Sequence, residues 1–321
     1  MAETIVVLDA IGASVADRLR ALLPDGFELT HATAPGDDHL MEIVAEADYA
    51  ISGQVAVSGA VLRAGRRLKL LHKWGVGVDN LDIETARELG IRVARTTGSN
   101  STAVAEFTIG LIVCALRHIP HGHFSLQRGE WRNWHGQSPF LLSGKTVGLV
   151  GFGAIGKAVA RLLSGFGCVV LYTKPRRLGA DEEKRLGVAF AELPELLARA
   201  DVISLHCPLT PATAGLIDRA ALSSMKPTAV LVNAARGGIV AEHDLVWALR
   251  NRIIHAAAVD VYDIEPLPAT SPLLHVENLT LTPHLGAMAA DTFEPTVRRM
   301  FANIARVSRG EPVPALDTVV P

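Results

Sequence analysis

Three ionisable residues follow apolar β runs in the second half of this 321-residue chain. Arg236 lies in Asn233-Ala-Ala-Arg-Gly-Gly238, Glu265 closes Val259-Asp-Val-Tyr-Asp-Ile-Glu265, and His284 stands in Thr282-Pro-His-Leu-Gly286. Strand ends form the ligand-binding edge of an open α/β sheet. A guanidinium makes fork-shaped bonds to carboxylate and carbonyl oxygens. An imidazole gives or takes a proton near neutrality. A carboxylate on its other ring nitrogen fixes the tautomer and favours the protonated ring. Singly these residues read as a surface cation, a loop acid and a capping histidine. Together they suit hydride transfer between a cofactor and a 2-oxo acid, which needs a cation on the substrate and a proton donor for the developing alkoxide.

A second constellation lies upstream. Val147-Gly-Leu-Val-Gly-Phe-Gly-Ala-Ile-Gly-Lys157 reads as a buried strand turning on Gly151, Gly153 and Gly156 into a helix over Ala158–Leu163. Such a turn lets the backbone approach a pyrophosphate, with free N–H groups at the helix N-terminus.

The elements around these motifs alternate. The first hundred residues read as strands at Ile5–Leu8, Phe27–Thr30, Tyr49–Ile51, Leu68–His72 and Ile91–Ala94, with helices between them. Thr102–Leu116 is apolar nearly all round and is expected to be buried. A loop-like arm follows, holding His118, His121, His123, Trp131 and Trp134. No carboxylate or second cluster supports a metal there. From Gly144 a second strand–helix alternation runs to Leu281, and Met288–Arg309 returns as a helix before a Pro-rich end expected to hold no strand. Alternation of this kind predicts doubly wound parallel sheets.

Composition narrows the class. A formal charge of −2 gives no electrostatic case for nucleic acid or an anionic membrane. Three cysteines in apolar surroundings without CxxC spacing indicate reduced core residues. The N-terminus shows no secretory signal, and no apolar run is long enough to span a bilayer, so a cytoplasmic enzyme is expected.

Over essentially its whole length the chain resembles the D-isomer-specific 2-hydroxyacid dehydrogenases. The motifs are Gly75-Val-Gly-Val-Asp-Asn80, Asn100-Ser-Thr-Ala-Val-Ala-Glu-Phe107, Gly151-Phe-Gly-Ala-Ile-Gly156, His206-Cys-Pro-Leu-Thr-Pro-Ala-Thr213, Asn233 through Val240, Asp260 through Pro266, and Pro283-His284. The resemblance implies an α/β chain of two doubly wound domains. A Rossmann dinucleotide-binding domain (102–285) is inserted in a discontinuous flavodoxin-like substrate domain (1–101 and 286–321). It implies that Arg236 binds substrate, that His284 is the acid/base and that Glu265 is its partner. The backbone at Val76 and Gly77 would take the substrate carboxylate, and Asn100 would contact substrate. Gly151, Gly153, Ala154, Ile155 and Gly156 would seat the pyrophosphate. His206, Pro208, Thr213, Ala234, Asp260, His284 and Gly286 would line the cofactor, with Asp260 holding the carboxamide.

Two features depart from the pattern. The acid expected at the ribose is missing, since the strand ends in Tyr172-Thr-Lys-Pro-Arg-Arg177 with no acid until Asp181. Thr173, Lys174, Arg176 and Arg177 instead suit a 2′-phosphate, so NADP(H) is expected over NAD(H). Lys73, just before the carboxylate turn, could hold a second anionic group of the substrate. The expected activity is reduction of a short 2-oxo acid, glyoxylate or hydroxypyruvate, to the D-hydroxy acid. The alternatives are phosphoglycerate-dehydrogenase-like chemistry and a dinucleotide-sensing corepressor-like scaffold. A homodimer through the 102–140 region is expected from the family. The long C-terminal extension of regulated phosphoglycerate dehydrogenases is expected to be absent.

Overall fold

The computed structural model describes residues 2–131 and 138–321. The strands are β1 (Glu3–Val7), β2 (Phe27–His31), β3 (Tyr49–Ser52), β4 (Leu70–Lys73), β5 (Arg92–Ala94), β6 (Thr146–Val150), β7 (Val169–Thr173), β8 (Val188–Phe190), β9 (Val202–Leu205), β10 (Val230–Asn233), β11 (Ala256–Val259), β12 (Leu279–Leu281) and β13 (Thr318–Val320). The α-helices are α1 (Ala13–Arg20), α2 (Asp37–Val44), α3 (Gly59–Ala64), α4 (Ile83–Glu88), α5 (Ser101–Arg117), α6 (Ile119–Gln127), α7 (Ala154–Ser164), α8 (Ala180–Leu186), α9 (Leu193–Arg199), α10 (Arg219–Ser224), α11 (Glu242–Arg250) and α12 (Ala290–Ser308). Two compact units result, one of Met1–Asn100 with Ala289–Pro321 and one of Ser101–Met288.

In the first unit the described residues form a sheet ordered β13-β5-β4-β3-β1-β2, parallel except for β13. Its inner strands β1, β3 and β4 are mostly buried because helices cover both faces. Ile5, Val7, Tyr49, Ile51 and Leu70 pack against Val297, Met300, Phe301 and Ile304 of α12, while Val6, Leu8, Ala50 and Leu71 face α2 and α3. In the second unit the order is β12-β11-β10-β9-β6-β7-β8, all parallel. One face packs on α5 and α7 through Ala105, Ile112, Val159 and Leu163, and the other on α9 to α11. Both units are doubly wound α/β sheets.

Two expectations need correction. The C-terminal end does carry a strand, β13, antiparallel to β5. It is fixed by Asp317, whose carboxylate accepts from Arg299, Asn303 and Thr97 N. The arm after α5 is not loop throughout, since α6 begins at Ile119 with Pro120 in its first turn, where a missing N–H costs nothing. Helix α8 was not foreseen. Trp134, expected in that arm, lies outside the described residues. Among those residues no single helix is long and apolar enough to cross a membrane.

His72 gives the first unit a pH-dependent term. It is fully buried, with Nδ1 bonded to Lys73 O (2.9 Å) and Nε2 to Asn303 Nδ2 (3.1 Å). Asn303 donates to Nε2, so the ring is neutral and Nδ1 carries the proton. Burial pushes its pKa down to about 4. An unfolded histidine titrates near 6.5, so the unfolded chain binds this proton first. The contribution is intact above about pH 6.5 and is lost as pH falls toward about 4, on the order of 3 kcal/mol in all. Urea unfolding of His72→Gln is expected to lose less stability between neutral pH and pH ~5 than wild type. Equal slopes would contradict this.

Candidate active site

The phosphate turn is built by steric necessity. Gly151 has φ +92°, and a Cβ there would lie 2.4 Å from Cys207 N and 2.5 Å from His206 C in the loop after β9. Only glycine fits so close to that backbone. Gly151 N donates to Thr173 O (3.0 Å), which ties the turn to the end of β7. Gly153 is the N-cap of the 11-residue α7, makes no side-chain cap bond, and has open space where a Cβ would be. The first N–H groups of α7, from Ala154, Ile155 and Gly156, are thus offered without a protein cap. Gly156 packs its α-carbon against Gly151 O, which a Cβ would meet at 2.6 Å. Two obligate glycines, an uncapped helix end and unfilled space fit a dinucleotide pyrophosphate.

The remaining cofactor candidates divide. Thr173 and Lys174 are half-buried at the end of β7, and Arg176 is exposed. Arg177 is committed elsewhere: its Nε and Nη2 each donate to Glu183 at 2.9 Å. Of the basic cluster it is the one the structure withholds. His206 is a half-buried, neutral ring, its pKa pushed down to about 4 by desolvation. Its Nε2 lies 2.9 Å from Ser204 Oγ, while Nδ1 has no partner. Thr213 turns its hydroxyl inward, to Thr210 N (2.8 Å) and Pro208 O (2.6 Å). It shapes the 208–213 loop instead of projecting from it.

Arg236, Glu265 and His284 end adjacent strands β10, β11 and β12, and their loops are cross-braced. Asn233 is buried and folds the Arg236 turn, with Oδ1 accepting from Ala235 N (3.1 Å) and Nδ2 donating to Arg236 O (2.9 Å). Gly237 lies so close to the neighbouring loop that a Cβ would meet Tyr262 O at 1.9 Å. Asp263 Oδ1 accepts from Gly238 N (2.7 Å). Half-buried Arg236 donates from Nη1 to Ala235 O (2.8 Å).

His284 Nδ1 and Glu265 Oε2 are 2.7 Å apart, and Glu265 Oε1 accepts from Tyr262 N (3.0 Å). Because the carboxylate only accepts, the His284 proton sits on Nδ1 and Nε2 is left for chemistry. His284 has φ +52°, a strained backbone for a residue other than glycine. Asp260 holds that strain in place. Its carbonyl accepts from His284 N (2.9 Å), Oδ1 accepts from Thr282 Oγ1 (2.6 Å) and Leu285 N (2.8 Å), and Oδ2 accepts from Gly286 N (2.8 Å). The carboxylate expected to hold a carboxamide is therefore largely occupied in shaping the His284 turn. Tyr262 braces the same turn through Thr282 O (2.8 Å), and its phenol is pushed up to about 12 by burial and then by the charge of Asp260. The sequence reading missed these braces. Gly237-Gly238 was their local signal, since paired glycines after a strand mark close backbone approach.

The substrate candidates of the first unit follow β4. Gly75 has φ +139°, and its carbonyl accepts from Thr96 N (2.9 Å) and Thr96 Oγ1 (3.2 Å). No carbonyl among the described residues accepts from the N–H of Val76 or Gly77. Lys73 is buried; its ammonium donates to Gly53 O and to Asn80 Oδ1 (2.7 Å). Asp9 holds the same loop from its donor side through Gly53, Gln54 and Val55 N. Asn100 Oδ1 is buried without a hydrogen-bond partner.

Comparison with known proteins places this geometry. Residues 109–286 match the family model of the D-isomer specific 2-hydroxyacid dehydrogenase, NAD binding domain. Hydroxypyruvate reductase of Thermotoga maritima is 37% identical over 258 residues, covering 79% of this chain and 82% of that protein. D-3-phosphoglycerate dehydrogenase of Mycobacterium tuberculosis is 38% identical over 311 residues, 94% of this chain; the chain spans 57% of that relative's length. The crystal structure of a Thermus thermophilus protein superposes with a TM-score of 0.86 at 35% identity, covering 99% of this chain and 100% of the other. The chain belongs to the D-isomer specific 2-hydroxyacid dehydrogenase family.

Proposed function

We propose that the protein interconverts a short 2-oxo acid and its 2-hydroxy acid with a nicotinamide dinucleotide, taking hydroxypyruvate to D-glycerate or glyoxylate to the achiral glycolate. The observation that carries this reading is the His284–Glu265 pair at 2.7 Å, on the strand end beside those of Glu265 and Arg236. Relatives named hydroxypyruvate reductase and glyoxylate reductase support it. A bound nicotinamide supplies or accepts the hydride at the carbonyl carbon. The rest falls to the protein. Arg236 grips the carboxylate and polarises the carbonyl. With both ring nitrogens protonated, His284 donates its Nε2 proton to the oxygen as charge develops there, and Glu265 stabilises the charged ring through Nδ1. Lys73 acts as a staple between Gly53 and Asn80, which leaves a substrate phosphate without the cation expected for it.

The cofactor reading is NADP(H) over NAD(H), resting on Thr173, Lys174 and Arg176 and on the missing acid at the end of β7. Kinetics with glyoxylate, hydroxypyruvate and phosphohydroxypyruvate, each with NADPH and NADH, test both readings. The expected result is turnover of the first two with the higher kcat/KM for NADPH. A preference for phosphohydroxypyruvate would sink the substrate reading, and an equal or higher kcat/KM for NADH would sink the cofactor reading.

We also read the 102–140 region as a homodimer face. Ile119, Phe124, Leu126 and Trp131 are exposed there, apolar side chains that a partner would cover. Light scattering is expected to give twice the chain mass; the mass of one chain would rule the dimer out.

A further inference from the structure

The segment after β7 is folded around Tyr172. This residue is fully buried, and its ring stacks on Phe152 of the phosphate turn, with centroids 4.4 Å apart. Its hydroxyl accepts from Leu178 N (2.9 Å), which draws the 173–178 loop back onto the strand, and donates to Glu183 Oε1 (2.7 Å). Glu183 projects from α8 and is itself buried. Both of its oxygens hold Arg177, which is bound in fork-to-fork fashion. The Arg177 guanidinium lies 5.5 Å from the Phe190 ring centroid on β8. In the sheet β8 lies beyond β7 from β6, whose end carries Gly151. The guanidinium is thus drawn to the outer edge, away from the phosphate turn. Arg177, and then the Tyr172 hydroxyl, hold the Glu183 carboxyl down to about 2, so the pair stays ionised at working pH.

We propose that Glu183 is a cofactor-specificity residue. By holding Arg177 at the β8 edge it keeps that guanidinium from an adenosine 2′-phosphate and limits the preference for NADP(H). The inference rests on the dinucleotide reading above and deepens it. Thr173, Lys174 and Arg176 remain to meet the ribose. Arg177 is a reserve cation whose partner is Glu183.

The test is direct binding, by fluorescence titration of the full chain with NADPH and with NADH. Glu183→Gln keeps an acceptor for the Tyr172 hydroxyl while removing the charge that holds Arg177. It is expected to tighten NADPH binding by about tenfold, the worth of one charge-assisted bond to phosphate, and to leave NADH within about twofold. Arg177→Ala alone is expected to leave both affinities within about twofold, and in the Glu183→Gln background it should abolish the gain. Arg177 is largely exposed on its side chain, so this variant reports even where Glu183→Gln folds poorly. Loss of about fivefold or more in NADPH affinity from Arg177→Ala alone would overturn the proposal, because Arg177 would then already be a phosphate ligand. Unchanged NADPH affinity in a folded Glu183→Gln would also overturn it. Failure of wild type to bind either dinucleotide would instead remove the reading on which it rests.

Discussion

His284→Asn is expected to lower kcat by about 10²- to 10⁴-fold while leaving the affinity for dinucleotide within about twofold. Asparagine is the informative replacement. The position has φ +52°, which asparagine tolerates and alanine does not, so the turn held by Asp260 survives and only the proton donor is lost. The loss should fall on kcat and kcat/KM alike, since the proton moves only as the alkoxide forms. Glu265→Gln should cost less. A glutamine carbonyl can still accept from His284 Nδ1 or from Tyr262 N, but it brings no charge to the ring. Stopped-flow measurement of a single turnover separates this step from product release. A kcat within about tenfold of wild type in His284→Asn would remove the residue from the chemistry.

Arg236→Lys is the second large effect, a fall in kcat/KM of about 10²- to 10³-fold. Lysine keeps the charge but loses the planar fork that can hold a carboxylate and a carbonyl oxygen together. It also cannot recover by a shift of the backbone. Asn233 bonds both sides of the turn, and Gly237 is wedged against Tyr262 O. Thermal stability should fall little, because Asn233 holds the turn from both sides and the half-buried Arg236 side chain adds to it only locally, through Nη1 to Ala235 O. Steady-state kinetics alongside a melting curve check both statements. An unchanged kcat/KM would show that another group grips the substrate.

What could be read from the amino-acid order was what depends on near neighbours. Gly151, Gly153 and Gly156 stand at fixed offsets between an apolar run and a helix, and Arg236, Glu265 and His284 each follow a strand by a few residues. What could not be read depends on distant partners. Strand β13 is three residues long and pairs with β5, more than 220 positions earlier, so no local pattern marks it. The commitment of Arg177 is invisible until α8 brings Glu183 beside it. Helix α8 itself has no apolar stripe, yet its signal was electrostatic: Asp181, Glu182 and Glu183 in the first turn, Lys184 and Arg185 in the last, and Gly187 beyond. The hydrogen bonds of Asp260 and the seat of Lys73 against Gly53 and Asn80 likewise required folded geometry. For Arg177, Asp260 and Lys73 a residue type suggested a ligand, and the fold had already supplied a partner.

The proposed activity assigns conversion of a 2-oxo acid to the D-hydroxy acid to the strand ends of Arg236, Glu265 and His284. It is tested most directly by supplying hydroxypyruvate with NADPH or NADH, following loss of the reduced cofactor, and resolving the glycerate enantiomers. Turnover of about 1–10³ s⁻¹ with D-glycerate as the product is expected, lowered about 10²- to 10⁴-fold in His284→Asn. L-glycerate, or no oxidation of either cofactor with hydroxypyruvate or glyoxylate, would contradict it.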